Sequence, residues 1–153
     1  MSAASKTRGR VLFVDDEPFL LEGMKTLLEL EGIDVFVHDS MITLPLILRE
    51  ADPDIVLLDL SLPALSGTSA LRNGLRKLLR TEGALLLFSG RSPHDLSALA
   101  QELGADGFIS KSENAMEIVG QIQMWINRRR LKRANDRSEG ANATNRTAFA
   151  AAR

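Results

Sequence analysis

The chain has 153 residues, 44% of them hydrophobic and 25% charged, with a net charge of −1. This is one globular domain's worth of sequence, long enough to bury roughly 70% of its unfolded surface without covalent staples. With no cysteine, disulfides, thiolate zinc sites, iron–sulfur clusters and a cysteine nucleophile are excluded. The two histidines, His38 and His94, lie far apart and read as surface residues.

The basic, Ser/Ala-rich start, residues 1–9, leads into no apolar signal core and reads as a disordered arm on a cytoplasmic protein. Val11 to Val14 is strand-like and ends in Asp15-Asp16-Glu17. Pro18 suits the first turn of a helix, and Leu20, Met24, Leu27 and Leu28 repeat at helical spacing before Gly32 stops it. Ile33 to Val37 is the second strand. Ser40 caps a helix through Leu48 that Pro45 should kink or shorten. Ile55 to Leu58 is a buried strand ending at Asp59. Pro63, Ser66 and Gly67 mark a loop, and Leu71, Leu75, Leu78 and Leu79 share one helical face.

Gly83 precedes the strand Ala84 to Phe88. Ser92-Pro93 starts a helix lined by Leu96, Leu99, Ala100 and Leu103 and ended by Gly104. Gly107 to Ser110 is a fifth strand. Ser112 caps the last helix, whose stripe is Ala115, Ile118, Val119, Ile122 and Ile126, with Met124 and Trp125 off the stripe as ordinary packing residues. Strand and helix thus alternate five times, at separations too long for hairpins. Continuous apolar strands between amphipathic helices predict an α/β, doubly wound parallel sheet covered on both faces.

Charge is uneven. Residues 128–153 hold eight Lys/Arg and two Asp/Glu, whereas the rest holds eleven and eighteen. The tail after residue 130 reads as a frayed, disordered basic extension in preference to a nucleic-acid arm. No aromatic interleaves with Arg128, Arg129, Arg130, Lys132 and Arg133 to form a base-stacking platform, although phosphate contacts stay open. No apolar run approaches the ~20 residues of a membrane helix.

Ligands of such a sheet bind outside the carboxyl ends of its strands. There the sequence collects Asp15 and Asp16 after the first strand, Asp59 after the third, Ser89 after the fourth, and Ser110 leading into Lys111 after the fifth. Close carboxylates need a cation or a proton. Oxygen-only ligands favour Mg²⁺. A carboxylate beside Mg²⁺ and a lysine can accept a phosphoryl group, with Ser89 donating to one of its oxygens. Taken singly, each residue has a plainer reading: an N-cap for Asp15-Asp16, a turn residue for Asp59 and Ser89, a solvated charge for Lys111.

Together, Phe13-Val14-Asp15-Asp16-Glu17, Leu57-Leu58-Asp59-Leu60-Ser61-Leu62-Pro63 with Gly67, Ser89-Gly90 and Phe108-Ile109-Ser110-Lys111 resemble the receiver domain of two-component response regulators. The resemblance runs from about residue 10 to about residue 130, and the tail 131–153 lies outside it. It implies a CheY-like, flavodoxin-like strand order 2-1-3-4-5. It also implies Asp59 as phosphoacceptor for a histidine kinase or phosphotransfer protein. Mg²⁺ would be held by Asp16 directly, Asp15 largely through water, Asp59, and the Ser61 backbone carbonyl. Ser89 and Lys111 would hold the phosphoryl group, with Ser89 and Phe108 as the switch pair. For Phe108 a plain core role stands beside that reading. Ser61 and Arg91 occupy positions that tune the phosphate's lifetime.

One departure is Ser112, where the family usually has a proline in a cis bond. A cis Lys111–Ser112 bond would cost about 3–4 kcal/mol, so it should be trans. The resemblance implies output through the fourth helix, fifth strand and fifth helix (Ser92 to Leu103 and Glu113 to Arg130), read by a downstream protein or by self-association as a homodimer. It implies a module that catalyses only its own phosphorylation and dephosphorylation, with no membrane partner and nucleic acid disfavoured. Three alternatives stand beside it: the receiver of a longer regulator, a phosphate-independent pseudo-receiver, and a Mg²⁺-dependent phosphatase. The adjacent Asp15 and Asp16, whose side chains diverge, do not suit the last.

Overall fold

The computed structural model describes residues 6–61 and 82–151, apart from the side chains of residues 18–20 and 149–151. The loop and helix expected around Pro63, Ser66, Gly67, Leu71, Leu75, Leu78 and Leu79, and the side chain of Leu20, lie outside that set. Five parallel strands, β1 (Gly9–Val14), β2 (Ile33–His38), β3 (Ile55–Asp59), β4 (Ala84–Ser89) and β5 (Gly107–Ser110), pair in the order β2-β1-β3-β4-β5. This is the flavodoxin-like order. Four helices are described: α1 (Pro18–Leu30), α2 (Leu44–Ala51), α3 (Pro93–Leu103) and α4 (Ala115–Ala151).

The period-two alternation of each strand sorts its side chains between two cores. Val11, Phe13, Ile55, Leu57, Leu86 and Phe88 face Met24 and Leu28 of α1 and Ile118, Ile122 and Ile126 of α4. Leu12, Val14, Val56, Leu58, Leu85 and Leu87 face Leu44 and Leu48 of α2 and Leu96 and Leu103 of α3. The inner strands β1, β3 and β4 read as unbroken apolar runs because both of their faces are covered.

The ends of the elements follow local chemistry. Gly32 after α1 and Gly104 after α3 take positive φ (78° and 69°), the left-handed conformation that closes a helix. Ser92 accepts the Asp95 N–H at the start of α3. Pro45 does not kink α2. It sits in its first turn, after Thr43, so the helix begins later than a Ser40 cap would place it. The last helix is capped by Asn114, whose side chain accepts the Glu117 N–H at 3.0 Å, and not by Ser112, which bonds to Ser110.

Ala115 is exposed, so the buried stripe starts at Ile118. The Lys111–Ser112 bond is trans, as are all peptide bonds among the described residues. Order begins before Gly9: the Thr7 hydroxyl donates to the Gly9 carbonyl at 2.7 Å and the Arg8 N–H to the Gly32 carbonyl at 2.9 Å. Where a disordered tail was expected after residue 130, the chain continues as helix to Ala151. No proline interrupts this stretch, and Gly140 alone, costing about 1 kcal/mol, does not end it.

The last helix is pinned to the amino-terminal edge of the sheet by ion pairs. Buried Asp54 accepts the Arg10 N–H at 2.9 Å and lies 3.4 Å from Arg130 and 3.8 Å from Arg133. Arg133 also reaches Asp52 at 3.6 Å.

Candidate functional site

At the opposite, carboxyl-terminal edge, the sheet delivers its polar residues to one place. β1 ends at Val14, so Asp15 leaves the sheet beside the end of β3, where Asp59 pairs in register with Phe88. Asp15 and Asp59 are buried, 2% and 1% exposed. Between them lies the ammonium of Lys111, which follows β5. Lys111 Nζ is 2.7 Å from Asp15 Oδ2, 3.3 Å from Asp59 Oδ2 and 3.7 Å from Glu17 Oε1. The same ammonium lies 5.1 Å from the centre of the Phe88 ring, which meets Phe13 edge-on.

The Asp59 carboxylate is held from its other side. The Ser61 N–H donates to Oδ1 at 3.0 Å and the Ser61 hydroxyl to Oδ2 at 2.5 Å. The Glu17 N–H donates to Asp15 Oδ1 at 3.0 Å. Ser89 at the end of β4 is buried, and its hydroxyl accepts the Arg91 N–H at 3.3 Å. Arg91 brings that backbone N–H to the site while its side chain is exposed. Ser110 is also buried, and its hydroxyl is shared with Ser112.

Charge in this cluster is unbalanced. Asp15, Glu17 and Asp59 each place a carboxylate oxygen within 4.8 Å of the others, against one ammonium. Burial is the main influence on Asp15 and raises its carboxyl above the usual carboxylate range, with Lys111 and the Glu17 N–H opposing. Burial also works to raise Asp59, but the two Ser61 hydrogen bonds, Asp15 and the Lys111 charge outweigh it and hold the carboxyl below the usual range. For Lys111, burial favours the neutral amine, yet Asp15, Asp59 and Glu17 override it and raise the value. The pair therefore favours one shared proton or a cation. All-oxygen donors around a net negative charge suit Mg²⁺.

Of the residues singled out in the sequence, Asp15, Asp59, Ser61, Ser89 and Lys111 come together at this edge. Asp16 does not join the carboxylate triplet. It is exposed and lines a neighbouring cleft with Asp15, His38 and Asp39. Glu17 takes that place, a residue that sequence reasoning passed over as helix-start acid; its position one residue beyond the Asp pair was the only signal. Phe88 was also missed as the platform under Lys111. Phe108 is half-buried against the α2–α3 core.

A family model of the response regulator receiver domain matches residues 11–123. The DNA-binding response regulator MtrA of Mycolicibacterium smegmatis is 32% identical over 131 residues, 84% of this chain and 53% of that protein, so the chain spans about half the length of this relative. A receiver-domain crystal structure from Clostridium thermocellum superposes with a TM-score of 0.63 at 30% identity, covering 80% of this chain and 98% of that one. The receiver domain of a LuxO-type repressor from Vibrio parahaemolyticus reaches a TM-score of 0.68 over 83% and 96% of the two chains. At 24% identity this is a likeness of fold alone.

Proposed function

The chain belongs to the response regulator receiver family of two-component signalling systems, and we propose that it accepts a phosphoryl group on Asp59 from the phosphohistidine of a histidine kinase or phosphotransfer protein. The observation that carries this reading is the buried Asp59 carboxylate, set at a strand end 3.3 Å from a buried ammonium and beside a hydroxyl-bearing strand end. A carboxylate oxygen of Asp59 attacks phosphorus in line, the P–N bond breaks, and imidazole leaves with the electron pair.

The two Ser61 hydrogen bonds, Asp15 and the Lys111 charge outweigh burial and keep Asp59 ionised and therefore nucleophilic. The Ser61 hydroxyl must release the oxygen it holds, or orient the other one for attack. As charge moves onto the phosphoryl oxygens, the Lys111 ammonium transfers its contact from Asp15 to one of them. The Ser89 hydroxyl, whose oxygen accepts the Arg91 N–H, donates its proton to another. Asp15, Asp16, Asp59 and the Ser61 carbonyl would hold Mg²⁺, with Glu17 in reach of the same cluster, and the ion would neutralise charge on the transferred group.

The drawing of Ser89 and Phe108 toward the phosphoryl group then alters the surface formed by α3, β5 and the first half of α4. A downstream protein, or a second copy of the chain, reads that surface. The domain works as a signalling module that transforms only itself. The test is intact-mass analysis after incubation with Mg²⁺ and acetyl phosphate. One phosphoryl adduct is expected, absent in Asp59→Asn and in EDTA, and an adduct retained in Asp59→Asn would refute the assignment.

The half-length match to a DNA-binding regulator favours one second reading, that this receiver is coupled to an output domain in a longer protein. The mass of the native gene product decides between them. A phosphate-independent binding module predicts no adduct on a folded protein.

A further inference from the structure

The phosphoacceptor edge leaves unused the basic run from Arg128 to Arg133 near the middle of α4. Its residues divide by direction. Arg130 and Arg133 turn to Asp54 and Asp52. Arg128, Arg129 and Lys132, together with Trp125, instead line a cavity of about 310 Å³ at the amino-terminal ends of β4 and β5, closed on the other side by Glu82 and Asp106. The spacing 125, 128, 129 and 132 places all four on one helical face.

The cavity is built to a degree that a solvated charge run is not. Trp125 packs so tightly on the start of β5 that a Cβ at Gly107 would lie 2.6 Å from its ring. The Arg128 guanidinium stacks 4.9 Å from the centre of that ring, which fixes its direction. Arg129 is 14% exposed, pairs with Glu82 at 4.0 Å, and has a buried Nε with no acceptor among the described residues. Lys132 is exposed and forms no ion pair among the described residues. Asp106 is committed elsewhere in part, since its carboxylate accepts the Leu85 N–H at 2.7 Å.

We propose that this cavity binds a small phosphorylated anion, held by Arg129 at its base and by Arg128 and Lys132 at its mouth, at the edge of the sheet opposite Asp59. Among the described lining residues, three cations against two carboxylates favour a multiply charged ligand over a monovalent carboxylate. Two planar guanidinium groups and one mobile ammonium match the several oxygens of a phosphate. The volume is that of a small ligand and lies at the lower end of the range for such sites. The site does not depend on phosphorylation of Asp59, nor on the reading given above.

Trp125 is the chain's one tryptophan, so its emission reports on this cavity without labelling. The full-length protein is titrated with pyrophosphate and with AMP in EDTA, at ionic strength held constant with sodium chloride, and heats are recorded in parallel by calorimetry. A saturable transition with one ligand per chain is expected. Lys132→Gln, an exposed change that leaves the fold alone, should weaken it about tenfold, the effect of losing one charge-assisted contact. Arg129→Gln should weaken it at least as much, and Asp59→Asn should leave it unchanged. The proposal is overturned by the absence of both heat and emission change, by a curve unaltered in Lys132→Gln, or by a curve lost in Asp59→Asn.

Discussion

Replacing Lys111 by Met tests the electrostatics of the carboxyl-terminal edge most directly. Methionine keeps the stem that lies over Phe88 and removes the ammonium between Asp15 and Asp59. At an effective dielectric of about 20, the contacts of 2.7 and 3.3 Å are worth about 6 and about 5 kcal/mol of gross attraction. That sum cannot be the loss, because the site has a cheaper response: one carboxyl takes up a proton. For an ordinary carboxyl at pH 7 this costs about 4 kcal/mol, and about 1.5 kcal/mol at pH 5. Asp15, whose value burial already raises, is the group that should take it.

Lys111→Met should therefore lose about 3–4 kcal/mol at pH 7, in the range expected for breaking a buried ion pair. The loss should shrink to about 1–2 kcal/mol at pH 5 because protonation becomes easier. Urea unfolding at the two pH values, followed by Trp125 emission, measures both. A loss below about 1 kcal/mol at pH 7, or an equal loss at both pH values, would refute the reasoning.

The same directions fix the sign of the wild-type pH dependence. Asp59, lowered in the fold, contributes stability above the ordinary carboxyl value that is lost as pH falls through its folded value, whereas Asp15, raised, contributes below the ordinary value and loses it as pH rises through its own. Asp15→Asn should consequently stabilise the protein at pH 7 and lose that advantage below about pH 4, as read by thermal melts across pH. Asp54→Ala should cost about 2–3 kcal/mol, since it strips the Arg10 N–H of its acceptor and two arginines of their anchor, whereas Asp54→Asn keeps the first contact and should cost less in the same melts. Gly107→Ala should cost about 1–3 kcal/mol by pushing a methyl into the Trp125 ring, visible as a lowered Tm and a shifted emission maximum. Deleting residues 134–153 should leave Tm within a degree or two, because the described side chains of that stretch are exposed and the anchoring Arg130 and Arg133 precede it.

What the sequence made legible follows from what each signal depends on. The parallel sheet and its two-sided core depend on apolar runs of strand length spaced by amphipathic helices, a pattern that recurs from Val11 to Ile126, whereas the strand order 2-1-3-4-5 followed from the resemblance to receiver domains. The convergence of Asp15, Asp59, Ser89 and Lys111 follows from the parallel topology, which sends every strand's carboxyl end to one edge. Selection between adjacent acids is different. Asp16 and Glu17 are both helix-start carboxylates in the sequence. Only the exit angle of the chain from β1, and the longer reach of glutamate, bring Glu17 to within 3.7 Å of Lys111 while Asp16 faces the neighbouring cleft.

Capping was misjudged for the same reason. Ser40 and Ser112 are as good N-caps by type as Thr43 and Asn114, and Ser112 is drawn away by the buried Ser110 hydroxyl, a local contact between positions two apart that competes with capping. The basic run is the sharpest case. By composition Arg128 to Arg133 is one solvated block. In three dimensions a 100° step per residue sends Arg130 and Arg133 to the buried Asp54, and Arg128, Arg129 and Lys132 around Trp125. A charge run on a helix is thus two surfaces with separate partners, and the position of Asp54 at the foot of β3 reveals which arginines anchor the helix and which line the cavity beside Trp125.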